Sequence, residues 1–181
     1  PDGEVHYDPT APTPEADGKR LDHLPAPAFD LLDMDHYFAV LADAIAADLV
    51  HEYHLPERQL PLMTSRSCPY RCHFCTNQVL AIPWRAHSAE VLVDQMKALR
   101  ERYDVDRFLF LDDNINTDPR RFGALVRALA DEGIPWDAVN GFRADLLDED
   151  AVLAIKAAGN TKITVSAESG DAKLLDGVIG K

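Results

Sequence analysis

The chain has 181 residues, of which 46% are hydrophobic and 27% charged, and this composition is ordinary for a single soluble globular domain. Its formal net charge is −13 and it has no basic stripe, so we expect neither nucleic acid nor an anionic membrane surface as a partner. No apolar run approaches the roughly 18 residues that a membrane span needs, and there is no secretory signal, so the expected location is cytoplasmic.

The N-terminal third predicts an acidic, proline-rich linker followed by one helix. Residues 1–58 hold 13 acidic side chains against three basic ones, and six of the 12 prolines fall within residues 1–30. An apolar periodicity then predicts a helix from Met34 to about Tyr53, which Pro56 ends. Its expected buried face comprises Tyr37, Leu41, Ala44, Ile45 and Leu49.

Beyond the linker, short apolar runs alternate with amphipathic helices. The predicted strands cover residues 59–64, 107–113, 136–142 and 162–167. The predicted helices cover residues 88–104, the stretch from Asp118 to Gly133, and residues 148–159, with a short helix near Asp171. Ser88 and Asp118 are the expected N-caps of the first two helices, and Pro119 suits a first helical position. Their expected buried residues are Leu92, Met96, Leu99, Tyr103, Phe122, Leu125, Val126 and Leu129.

This regular alternation predicts an α/β fold whose parallel strands are joined by right-handed crossovers, as an open sheet or a barrel. In both architectures ligands bind at the carboxyl ends of the strands. The polar residues expected at those ends are Thr64, Ser65, Asp112, Asp113, Asn114, Arg143, Ser166, Glu168 and Ser169. All three cysteines of the chain follow the first strand, so they are predicted to share this face.

The three cysteines lie in the stretch SRSCPYRCHFCTN, at positions 68, 72 and 75. Their odd number argues against a disulfide framework. A structural zinc site would need a fourth ligand, for which His73 and His87 are the nearest candidates. An iron–sulfur cubane held by three thiolates would instead keep its fourth iron open for a substrate or cofactor. The spacing of the cysteines does not by itself decide between a zinc site and an iron–sulfur cluster.

At this point the sequence resembles a known family. CPYRCHFC is a CxxxCxxC motif with an aromatic residue before its last cysteine, and together with the preceding strand it resembles the radical S-adenosylmethionine (SAM) superfamily. LFLDDNI, FRADLLDEDAVLAIKAAG and ITVSAESGDAKLL resemble the cobalamin-binding type of these enzymes. LDHLPAPAFDLLDM resembles the segment that joins their cobalamin-binding domain to the barrel.

The resemblance implies a partial (β/α) TIM-like barrel with about four of the six strand–helix units of the family. Residues 59–181 would form the radical SAM core, incomplete at its C-terminal end. Residues 1–58 would join it to a cobalamin-binding domain upstream of this chain. Because the chain also begins with a proline rather than a methionine, we expect it to be a fragment of a longer protein.

The resemblance also implies the chemistry. Cys68, Cys72 and Cys75 would hold a [4Fe–4S] cluster that reductively cleaves SAM to a 5′-deoxyadenosyl radical. The radical would serve methyl transfer, or rearrangement or cyclisation, of an unidentified substrate, with cobalamin as a further cofactor bound outside this chain. A flavodoxin-like or ferredoxin-like protein would supply the electron. The alternatives are a cobalamin-independent methylthiotransferase and a non-catalytic zinc-binding module.

Seven further residues are implied as SAM contacts. Phe74 would pack against the adenine, and one of Asp112, Asp113 and Asn114 would bind the amino group, where the family often has a GGE-like motif. Arg143 would grip the SAM carboxylate or, alternatively, pair with nearby Asp145. Ser166 and Glu168 would meet the ribose hydroxyls or the amino group. Capping of turns is the competing interpretation for the residues at 112–114. Packing or surface roles are expected for Trp84, His87 and Trp136.

Overall fold

The computed structural model describes residues 20–49, 58–80 and 82–179. The helices are α1 (Met34–Ala46), α2 (Asn77–Leu80), α3 (Ala89–Tyr103), α4 (Pro119–Asp131), α5 (Glu149–Ala157) and α6 (Ala172–Leu174). The strands are β1 (Gln59–Leu62), β2 (Ser65–Arg66), β3 (Arg85–Ala86), β4 (Arg107–Phe110) and β5 (Trp136–Ala138). Short 3-10 turns cover Phe29–Leu31 and Ala144–Leu146, and a π-helical turn covers Leu175–Ile179. None of the helices in these ranges is long and apolar enough to span a membrane.

The main sheet is parallel, with its strands in the order β1-β4-β5. Leu62 pairs with Phe110, and Phe108 pairs with Trp136, so the strands lie nearly level with one another. The other two strands, β2 and β3, form a small antiparallel ladder of two residue pairs beside the end of β1. The parallel α/β architecture predicted from the sequence is confirmed.

The core lies between one face of the sheet and helices α3 and α4. Alternate strand residues point into it, because successive side chains of a strand face opposite sides. Trp136 is fully buried and stacks on Phe110, with ring centroids 5.3 Å apart. Burial of each such large apolar side chain stabilises the fold by about 1.5–3 kcal/mol. The sequence predicts either a packing or a surface role for Trp136, and the structure shows that it packs in the core.

The predicted helix starts are confirmed in atomic detail. The Ser88 hydroxyl accepts a hydrogen bond from the backbone N–H of Val91, and the Asp118 carboxylate accepts two from the first turn of α4. Pro119 occupies the first position of that helix, where no donor is lost. The apolar stripe of α4 is buried as predicted. Side-chain caps replace the hydrogen bonds that a helix terminus cannot make for itself.

The prediction for the first helix was wrong in its buried face. Met34 and Phe38 are the buried residues of α1, while Tyr37 is 42% exposed. The helix carries apolar side chains around much of its circumference, so periodicity alone does not select the face that packs. Contact with the rest of the chain selects it: the guanidinium of Arg58 lies 4.2 Å from the Phe38 ring centroid. The predicted end of the helix, near Tyr53, is also wrong, because α1 ends at Ala46 and Asp48 has a positive φ of 54°.

The fourth predicted strand is also wrong. Residues 162–167 make a single parallel bridge, between Val165 and Phe142, and form no ladder. The Phe142 N–H donates to the Thr164 carbonyl at 2.8 Å, and the preceding residue, Gly141, has a positive φ of 85° that turns the chain there. Because β5 ends at Ala138, this segment has no regular neighbouring strand with which to pair.

Candidate functional site

The cysteine loop lies between β2 and α2, beyond the carboxyl end of β1. Cys68, Cys72 and Cys75 are free and half-buried. They line an open cavity of about 230 Å³ together with residues that follow β4 and β5. The cavity also contains six of the seven predicted SAM contacts, namely Phe74, Asp113, Asn114, Arg143, Ser166 and Glu168. The parallel sheet therefore brings side chains that are distant in sequence to one face.

Asp112 is the seventh predicted contact, and it does not line the cavity. Its carboxylate is buried and accepts hydrogen bonds from the Thr64 backbone N–H at 3.0 Å and the Thr64 hydroxyl at 2.8 Å. The Ser65 hydroxyl donates to the same carboxylate. These bonds tie the ends of β1 and β4 together. Asp112 thus has a structural role, which differs from the turn capping considered from the sequence, and a role in binding SAM does not fit its position.

The neighbouring residues Asp113 and Asn114 face the cavity. Asp113 accepts a hydrogen bond of 3.0 Å from the Asn77 amide, which links the loop after β4 to the start of α2. The side-chain carbonyl oxygen of Asn114 is buried and accepts no hydrogen bond from the described part of the chain. A buried acceptor without a donor is costly, and a ligand N–H at the cavity would satisfy it.

Arg143, after β5, makes a bidentate ion pair with Asp145, at 2.9 Å from Nε to Oδ1 and 2.7 Å from Nη2 to Oδ2. The alternative pairing considered from the sequence is therefore present. Sequence reasoning missed two other contacts. The guanidinium carbon lies 3.8 Å from the centroid of the Tyr70 ring, in the cysteine loop. Asn116 hydrogen-bonds both the backbone N–H and the carbonyl of Arg143, each at 3.0 Å.

The remaining predicted contacts lie at the outer rim of the cavity. The Phe74 side chain is 62% exposed, so its ring is available to a bound molecule. Ser166 and Glu168 follow the Val165 bridge and are exposed, and Glu168 adopts a positive φ of 58°. These side chains stand where the strand ends of a parallel sheet present ligand-binding groups.

The electrostatics of the loop favour the protonated form of the Cys68 thiol when no metal is bound. Burial raises the pKa of Cys68 above its ordinary value, and the nearby charges of Asp113, Cys72 and Cys75 raise it further. A backbone hydrogen bond from Tyr70 opposes the shift. Metal ligation requires thiolates, so cluster binding here must release protons.

The donor set fits an iron–sulfur cubane with one open iron. Thiolates are soft ligands, and each cysteine of a cubane site binds a different iron. Within the described ranges, no three Cys, His, Asp or Glu side chains group tightly enough to hold one metal ion. Of the two histidines considered for zinc, His87 is buried away from the cavity and His73 is exposed beside Cys72.

Comparisons with known proteins identify the family. The family model described as the Radical SAM superfamily matches residues 62–180. The chain is 32% identical over 162 residues to cytidylyl-2-hydroxyethylphosphonate methyltransferase of Streptomyces wedmorensis, and the aligned region covers 89% of this chain and 29% of that protein. It is 28% identical over 180 residues to an uncharacterized methyltransferase of Pyrococcus horikoshii, which covers 99% of this chain and 35% of that protein. The chain thus spans about a third of the length of these relatives.

Solved structures of the radical SAM methyltransferase TsrM from Kitasatospora setae share the fold. The structure with tryptophan substrate and the SAM analog aza-SAM has a TM-score of 0.58 at 16% identity, over 70% of this chain and 27% of that chain. The structure with cobalamin and a [4Fe–4S] cluster has a TM-score of 0.57 at 18% identity, over 65% and 22% of the two chains. At these identities the likeness establishes the fold alone.

Proposed function

Because the chain belongs to the radical SAM superfamily, whose cofactors are a [4Fe–4S] cluster and SAM, we propose that it forms the cluster- and SAM-binding core of a radical SAM methyltransferase. One observation supports this most directly: the three cysteines line the same cavity as six of the seven residues that the family resemblance implies as SAM contacts. In this proposal residues 59–181 form the core, and residues 1–58 connect it to another domain.

Each residue has a proposed part in binding. Cys68, Cys72 and Cys75 hold three irons as thiolates and leave the fourth open to SAM. A cluster held by these thiolates would supply one electron for reductive cleavage of the SAM carbon–sulfur bond. The buried carbonyl of Asn114 and the carboxylate of Asp113 suit the ammonium group of SAM.

The rim residues would orient the rest of the SAM molecule. Phe74 offers an exposed ring to the adenine, and Ser166 and Glu168 offer acceptors to the ribose hydroxyls. Arg143 keeps Nη1 outside its pair with Asp145, and that donor suits the SAM carboxylate. These assignments use only side chains that face the cavity.

We extend the proposal to cobalamin, bound outside this chain and assisting methyl transfer to an unidentified substrate. The support is that two curated relatives are named methyltransferases and that TsrM, with the same fold, was solved with cobalamin. An external one-electron donor of flavodoxin or ferredoxin type completes the scheme. A measurement of cobalamin binding by the full-length protein would distinguish this proposal from a cobalamin-independent methylthiotransferase. Analysis of the product would distinguish methylation from cyclisation.

The deciding experiment is anaerobic reconstitution with iron and sulfide, followed by electron paramagnetic resonance (EPR) of the reduced protein with and without SAM. We expect about four irons and four sulfides per chain and a cubane signal that shifts when SAM is added. Cys72→Ala should lose the cluster, whereas His73→Ala, in the same loop, should keep it. A Cys72→Ala protein with full iron and sulfide, or a wild-type protein that holds one zinc instead, would overturn the proposal.

A further inference from the structure

Tyr70 occupies the middle of the spacing between Cys68 and Cys72, and its ring is covered by an arginine from another strand unit. The Arg143 guanidinium carbon lies 3.8 Å from the ring centroid, well within the distance for a cation–π contact. Tyr70 and Arg143 both line the cavity that contains the cysteines. Their contact joins the cysteine loop to the chain that follows β5.

Arg143 is itself held rigidly from two sides. Asn116, 1% exposed, donates to its carbonyl and accepts from its N–H, so the backbone is fixed to the loop after β4. The Asp145 carboxylate accepts hydrogen bonds from two nitrogens of the guanidinium, and these bonds fix the plane of the group. The orientation of the Arg143 guanidinium, whose flat face packs on Tyr70, is therefore fixed by hydrogen bonds that do not involve the cysteine loop.

The charge on this arginine is poorly shielded from the cysteines. The Arg143 side chain is 11% exposed, whereas that of its partner Asp145 is 58% exposed. Water screens the carboxylate better than the guanidinium, so the charge of Arg143 partly offsets the carboxylates of Asp113 and Glu168 that line the same cavity. A fixed positive charge beside a cluster favours its reduced, more negative form.

We propose that Arg143 is a positioning residue for the cluster, which through its stack on Tyr70 holds the Cys68–Cys72 segment in place and raises the cluster reduction potential. The part that concerns potential rests on the proposed function, because it needs a bound cluster. The part that concerns the loop does not, because the stack is formed by this chain alone.

The first test is an EPR-monitored redox titration of the reconstituted protein. Arg143→Gln should shift the midpoint potential to a more negative value. Arg143→Lys keeps the charge but loses the planar stack, so its midpoint potential should stay close to that of the wild type. The matched control is Arg102→Gln, which removes an arginine from the ring of Tyr103 at the far end of α3. An unchanged midpoint in Arg143→Gln would overturn the electrostatic part.

The second test measures hydrogen exchange by mass spectrometry on the cluster-free chain. Two loop amides are bonded in the structure, His73 N–H to the Ile179 carbonyl and Cys75 N–H to the Cys72 carbonyl. Their peptide should exchange several-fold faster in Tyr70→Leu, and in Arg143→Gln or Arg143→Lys, but not in Tyr70→Phe, which keeps the ring.

Equal exchange in Tyr70→Leu and wild type would overturn the positioning role. If the wild-type chain assembles no cluster, the proposed function fails, and with it the claim about potential, while the exchange data still decide whether Arg143 positions the loop. If the cluster assembles but neither midpoint nor exchange responds to Arg143→Gln, the inference fails and the proposed function stands.

Discussion

The carboxylate of Asp112, just beyond β4, accepts hydrogen bonds from both the backbone N–H and the hydroxyl of Thr64, just beyond β1. Both residues are almost completely buried. Hydrogen bonds to a charged group contribute more than neutral ones, and a buried donor left without an acceptor is costly. This pair therefore fixes the rim of the sheet from which the cysteine loop departs.

We expect Asp112→Asn to lower the free energy of unfolding by about 2 kcal/mol, because an amide cannot accept all of these bonds. Urea denaturation measures the change. The matched control is Asp113→Asn, one residue along, whose carboxylate is exposed and should contribute about 0.5 kcal/mol or less. Equal losses in the two variants would contradict a special role for Asp112.

Gly141→Ala tests the close approach of the chain after β5 to residues 162–167. A Cβ at Gly141 would lie 2.6 Å from the Thr164 carbonyl oxygen, and φ is +85°. We expect a loss of about 3 kcal/mol from combined clash and backbone strain. Gly133→Ala, where φ is +58° and nothing lies within 4 Å, should cost only about 1 kcal/mol. Similar losses at both positions would argue against the clash.

The raised pKa of Cys68 predicts slow alkylation of this thiol in the cluster-free chain. Its burial and the Asp113 carboxylate disfavour the thiolate, so iodoacetamide should react more slowly at pH 8 than with a free cysteine. Trypsin cleaves after Arg66 and Arg71, so Cys68 is released in a peptide without the other two cysteines. Asp113→Asn should speed the reaction. A rate equal to that of free cysteine would contradict the prediction.

His87 predicts a dependence of stability on pH. Burial lowers its pKa below 6.5, with Arg121 and Arg66 acting in the same direction and Asp22 and Asp112 opposing them. The unfolded chain then binds the proton more readily, so the stability from a neutral His87 is present above about pH 6.5 and declines as pH falls. His87→Gln should reduce the loss between pH 7 and 5.5 in urea titrations. An identical loss in both proteins would contradict this.

The elements that sequence reasoning predicted well are those with local signals. Ser88 and Asp118 mark helix starts through hydrogen bonds to residues two or three positions away, so these signals do not depend on the rest of the fold. Pro119 marks the start of α4 because its fixed φ suits the first helical position, where no donor is needed. The order of strands and helices follows from periodicity in the same way. The face of the sheet that carries the site could be predicted because parallel strands end at one edge.

The features that were missed depend on partners distant in sequence. Residues 162–167 have the alternation of a strand, but a strand needs a ladder, and only one bridge to Phe142 is available. The stack of Arg143 on Tyr70 joins residues 73 positions apart, and no local pattern indicates it. Asp112 and Asp113 are adjacent and chemically identical. Because successive side chains point in opposite directions, Asp112 bonds to Thr64 at the end of β1, whereas Asp113 lines the cavity.

Because the three parallel strands pair in the order in which they occur along the chain, each strand needs only its predecessor as a template. Synthesis proceeds from the N-terminus, so β1, α3 and β4 can associate before β5 has been made. Cys68, Cys72 and Cys75 are then already attached to a paired strand, while Arg143 is still absent from the nascent chain. The thiols are thus presented during translation before the arginine arrives to cover the ring between them.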